Sequence, residues 1–124
     1  MLFCTAIYLA KRFSERFGLD KTAVLEKLYR QALPNRFLAG FAKFIYQNQE
    51  DVFLNKLITD SFRAFFDVHI CRYDRCNEYA FNCTGSIGFY FSNLLRRVAE
   101  EKGMPIGTIT ETPIAGLALY HFGE

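Results

Sequence analysis

A histidine and three cysteines, His69, Cys71, Cys76 and Cys83, fall within one short stretch of the chain. Imidazole and thiolate are the donors that tetrahedral zinc prefers, so the stretch holds enough ligands for a metal. The spacing is less suited. Zinc fingers and ribbons use a tight cysteine knuckle with a second pair well separated, and only Cys71 and Cys76 approach that pattern. The expectation is therefore that no cofactor is bound, with zinc on these residues as the alternative, and that the cysteines are buried, reduced side chains behaving as small hydrophobes. Cys71 and Cys76 are also spaced to face one another across the loop 72–75, where a disulfide depends on geometry that sequence does not fix.

A cysteine nucleophile needs a base that raises its thiolate fraction and a group that orients that base. His69 and His121, with Asp67, Asp74, Glu78 and Glu111, supply the residue types. No cysteine has the local sequence of a known nucleophile, and no catalytic residue is assigned. Gly85-Ser86-Ile87-Gly88 stands ahead of a helical run, where backbone N–H groups can face an anion. It lacks the Lys-Ser/Thr of a P-loop and the third glycine of a dinucleotide fingerprint, so it reads as a helix-capping turn. Lys11-Arg12, Arg72 with Arg75, and Arg96-Arg97 sit among aromatic and acidic residues; the acids balance each short pair, and nucleic acid is not expected as a partner. Arg72, Tyr73, Arg75 and Tyr79 have the composition found at the energetic centre of protein interfaces. They form the predicted partner-binding surface.

The elements that must position these residues belong to a chain of 124 residues, 51% hydrophobic and 23% charged, with a net charge of +2. This length, with only 8 Gly and 3 Pro, fits a single globular domain over residues 1–124. The near balance of charge argues against a protein dominated by phosphate contacts. The 14 Phe and 7 Tyr, with no Trp, predict a Phe-rich core. The apolar start, residues 1–10, lacks the basic flank and cleavage pattern of a secretory signal, and no run is long enough to span a bilayer. A soluble, cytoplasmic protein with four reduced cysteines is expected.

Hydrophobic periodicity predicts helices over the first two thirds. Phe3, Ile7, Ala10 and Phe17 share a face, and Gly18 is a stop. Asp20 can cap a second helix with the stripe Val24, Leu28 and Ala32, which Pro34 ends. Asn35 can cap a third, carrying Phe37, Phe41, Phe44 and Ile45. A fourth begins near Glu50 or Asp51 and runs to about Phe66. Val68–Cys71 is β-rich, and with a return strand at Tyr79–Phe81 it makes a hairpin around Arg72–Arg75. Ser86 opens a further helix carrying Ile87, Phe91, Leu94, Leu95 and Val98, with Arg96–Glu100 and Arg97–Glu101 spaced to pair. Gly103 and Pro105 close it, and strands at 106–111 and 117–122 form a final hairpin.

The predicted fold is α+β: an N-terminal layer of about four helices, one later helix, and a small antiparallel sheet built from the Cys-rich middle and the C-terminal hairpin. Over the C-terminal half this element order, with Thr110-Glu111-Thr112 leading through Gly116 to Tyr120-His121-Phe122, resembles the layout of vinyl-reductase-type and vesicle-tethering small-ligand domains. No motif is shared with them, so no residue role is carried over. The functional expectation is a non-catalytic inhibitor, immunity-type or adaptor protein that holds a protein partner or a second copy. The alternative is a small-molecule or metal-binding pocket protein, with a Cys/His-dependent enzyme as its catalytic form.

Overall fold

The computed structural model describes residues 2–123, and the side chains of residues 6–123. Phe3 of the first predicted stripe and Cys4 of the predicted reduced set lie outside the described side chains. The chain divides into two compact units, Met1–Lys56 and Leu57–Glu124.

The first unit is helical for the reasons its periodicity suggests. Helix α1 (Leu2–Phe17) stops at Gly18, which takes a left-handed φ of +61° and donates its N–H to the Ser14 carbonyl at 2.8 Å. Asp20 caps α2 (Lys21–Arg30), its Oδ1 accepting the Ala23 N–H at 2.7 Å. Pro34 does not merely end that helix. It opens α3 (Pro34–Ala39), because its missing N–H and fixed φ suit a first helical turn. Leu33 before it takes a left-handed conformation, φ 59° and ψ 54°, a region uncommon for residues with a side chain. The predicted third helix is broken at Gly40-Phe41 into α3 and α4 (Ala42–Gln47). Asp51 then opens α5 (Val52–Phe65), accepting the N–H groups of Phe53 at 2.9 Å and Leu54 at 3.3 Å. Edge-on aromatic contacts bind the unit together: Phe13 meets Phe41 at 4.9 Å and Phe44 at 5.7 Å, and Phe17 meets Phe41 at 5.0 Å.

In the second unit the sheet differs from the predicted one. Val68–Cys71 is not a strand: α5 runs on into a π-helical turn, Phe66–Ile70, closed by the Cys71 N–H on the Phe66 carbonyl at 2.7 Å. The local β preference of Val68 and Ile70 yields to the burial of Phe66, which is fully enclosed. A turn and a short 3₁₀ segment, Cys76–Glu78, lead to β1 (Phe81–Thr84). Helices α6 (Ser86–Tyr90) and α7 (Ser92–Glu101) then carry the chain to β2 (Ile106–Thr110).

The two strands pair parallel, Phe81 opposite Ile106 and Thr84 opposite Thr110, with an irregularity between Phe81 and Cys83. A parallel pair requires a helical crossover, which α6 and α7 provide. The predicted antiparallel sheet and α+β class are thereby corrected to a mostly helical chain with one β-α-β unit. The last predicted strand is also a helix, α8 (Ile114–Phe122). Its unbroken apolar run carries no period, and Ala and Leu favour helix. The core of this unit is Phe66, Leu95, Val98, Ala99 and Met104. Gly103, at φ +67°, turns the chain out of α7 so that the Met104 N–H reaches the Ala99 carbonyl at 2.9 Å. Glu101 pairs with Arg63 on α5, receiving two hydrogen bonds at 2.8 and 2.9 Å, and not with Arg97 as its helical spacing suggests. Among the described residues no helix is long and apolar enough to cross a membrane.

Candidate functional site

The turn between β1 and α6 is built by two glycines with different tasks. Gly85 sits at φ +139° and ψ 155°, where a side chain would be strained. Its N–H donates to the Thr110 carbonyl at 2.9 Å and its carbonyl accepts from Phe89 at 3.1 Å, so one residue links β1, β2 and α6. Gly88 is buried for a different reason: a Cβ there would lie 2.4 Å from Cys83 Sγ and 3.6 Å from a Leu95 methyl. Its bare backbone lets α6 lie against β1. Strand alternation turns Phe81 and Cys83 inward and Asn82 and Thr84 outward.

Beside this turn lies a cavity of about 540 Å³. Phe62, Phe65, Phe81, Ile87 and Leu95 give it an apolar lining, and Ser61, Thr84 and Ser86 add hydroxyls. Two of these hydroxyls are engaged, Ser61 donating to the Leu57 carbonyl at 2.7 Å and Thr84 sharing a hydrogen with Thr110 at 3.0 Å. No carboxylate, imidazole or amine is among the lining residues. The cavity is suited to binding an apolar group, and beyond the hydroxyls its lining adds only the Cys83 thiol. It runs along β1 from Phe81 and on to the glycine turn that follows the strand.

The residues singled out from sequence are distributed differently. Tyr73 and Tyr79 are exposed and border a second, shallower cavity of about 380 Å³, which Asp74 and Cys76 also line. Arg75 takes a left-handed φ of 57° and reaches Glu78 at 3.5 Å; Arg72 does not line that cavity. His69 lies in the π-helical turn with its ring 5.6 Å from Phe65. Cys76 is a near neighbour of Cys71, whereas Cys83 lines the larger cavity. His121 lies on α8 beside Tyr120. Among the described residues no three His, Cys, Asp or Glu side chains converge as a metal would require. The sequence reading took Gly85-Ser86-Ile87-Gly88 as a cap and missed the site beside it. The available signal was the β-rich run Phe81–Thr84 before those glycines, with a second β run at residues 106–110 beyond a helix, the pattern of a parallel crossover.

The sequence matches no protein-family model and no curated protein. Among solved structures it is similar to a putative N-acetylglucosamine kinase from Porphyromonas gingivalis, with 32% identity and a TM-score of 0.85 over 92% of this chain. The chain spans 40% of the length of that protein. This similarity overturns the expectation of a non-catalytic inhibitor, immunity-type or adaptor protein, and with it the small-ligand-domain layout suggested by element order. The fold is therefore shared with part of the Porphyromonas gingivalis protein.

Proposed function

We propose that this chain forms part of a sugar kinase, and that the cavity beside the β1–α6 turn seats the aromatic base of a nucleoside triphosphate donor. The observation that carries this reading is the similarity to the Porphyromonas gingivalis protein over nearly the whole of this chain. The apolar lining and the Gly85 turn that closes one side of it support it. Phosphoryl transfer depends mainly on positioning and charge stabilisation. Holding the base in an aromatic pocket is a positioning task these residues can perform. The acidic and cationic groups that would manage the phosphates and the acceptor hydroxyl are absent from the cavity lining. In this reading they come from the part of the kinase fold that the chain does not span. An amino sugar is the proposed acceptor class, and a reducing cytoplasm the proposed compartment.

The test is calorimetric titration of the purified chain with ATP, alongside Ile87→Glu. Ile87 is 46% exposed at the cavity edge, so the substitution leaves the core intact while setting a carboxylate beside the incoming nucleotide. Saturable ATP binding that weakens by about tenfold or more in the variant, a loss of about 1.4 kcal/mol, is expected. Absence of ATP binding to the wild-type chain, or equal binding by both, overturns the assignment.

A further inference from the structure

The turn after the π-helical stretch holds two thiols that the kinase reading does not use. The Cys71 N–H is held by the Phe66 carbonyl at 2.7 Å, and the Cys76 N–H donates to the Tyr73 carbonyl at 3.2 Å. Both ends of the loop 72–75 are therefore fixed, with Cys76 a near neighbour of Cys71. Each is half-buried and packs against the core cluster of Phe66, Val98 and Met104. Cys76 lines the open cavity bordered by Tyr73 and Tyr79, which Cys71 does not. Burial, and after it the neighbouring Cys76, push the Cys71 thiol up from its ordinary value. Cys83 is on the wall of the other cavity.

We infer that Cys71 and Cys76 form a dithiol modification site, which a low-molecular-weight disulfide such as oxidised glutathione converts into an intramolecular disulfide. Cys76, the reachable thiol, loses its proton and attacks one sulfur of oxidised glutathione. A bond forms between Cys76 Sγ and that sulfur, and the glutathione S–S bond breaks, expelling one glutathione thiolate. Cys71, deprotonated in turn, attacks Cys76 Sγ and expels the second glutathione. The two protons released by the protein protonate the two glutathione thiolates. The protein dithiol is oxidised by two electrons, and one oxidised glutathione becomes two reduced molecules. The inference is independent of the kinase reading, because neither thiol lines the proposed nucleotide cavity.

Incubation of the reduced, full-length chain with oxidised glutathione, followed by acid quench, trypsin digestion and mass spectrometry, tests it. Trypsin cuts after Arg72 and Arg75, so a disulfide from Cys71 joins peptide 64–72 to peptide 76–96. The second peptide also contains Cys83, and fragmentation between Cys76 and Cys83 locates the bond in wild-type protein without any variant. The expected result is a link at Cys76, retained in Cys83→Ser and lost in Cys76→Ser, where circular dichroism checks that each variant is folded. A link to Cys83, or wild-type protein that stops at a glutathione adduct on Cys76 with Cys71 still free, overturns the inference.

Discussion

The two units reach a packed interior by different means. In residues 1–56, Phe13, Phe17, Phe41 and Phe44 meet edge to face, yet of these four rings only Phe44 is buried. In residues 57–124 the centre is mostly aliphatic and closed, with Phe66, Val98 and Ala99 fully enclosed and Leu95 nearly so. Half-exposed rings tolerate trimming, because neighbours and water can fill the gap. A closed core leaves a cavity that its surroundings only partly collapse.

The contrast is sharpest for large-to-small substitutions followed by urea unfolding. Leu95→Ala should lower stability by about 2–5 kcal/mol, and Phe13→Ala by only about 1–2 kcal/mol, given its partial exposure. Equal losses would break the distinction. Gly88→Ala probes the same closed unit from the opposite direction by adding a methyl where Cys83 Sγ already stands. A cost of about 1–3 kcal/mol is expected from overpacking. Cys83→Ala should recover much of it in the double variant, a coupling that independent sites would not show.

The smallest effect belongs to the surface. Hydrogen bonds from Arg63 hold the Glu101 carboxyl below the ordinary glutamate range, partly opposed by desolvation. A depressed folded-state value stabilises the fold above the unfolded value, roughly pH 4.3, and that contribution disappears as pH falls through the lower folded one. Both groups are solvent-exposed, so the pair should count for little and fade further in salt. Unfolding curves of wild type and Arg63→Ala, taken at neutral pH and at pH 3, should differ more at neutral pH; a difference that grows in acid contradicts the pairing.

The same contrast explains how much could be read from the sequence. In the first unit the helix ends are set by residues close to them along the chain. Gly18, Asp20 and Asp51 therefore stand at helix ends where their types place them, whereas the break at Gly40-Phe41, the role of Pro34 and the expected Asn35 cap differ, Asn35 lying inside α3 with Leu33 at its N-cap. In the second unit the helix of residues 92–101 and the strand at 106–110 were legible, because each is set by its own pattern. The direction of strand pairing was not, since it depends on which distant segment supplies the partner. The Val68–Cys71 run misled because β-branched residues can extend a helix when the neighbouring Phe66 gains enough by burial. The glycine pair of the candidate site was visible as residue types. Its meaning required knowing that Thr110 stands opposite Thr84.

The parallel pairing also has a consequence in time. During synthesis β1 emerges well before β2, and a chain made at about 5–20 residues per second leaves Phe81–Thr84 as an unpaired edge for on the order of a second or more. Through that interval Phe81 and Cys83 lack the neighbours that later cover them. The strand before the glycine turn thus gains its partner only after the whole α6–α7 crossover has been made.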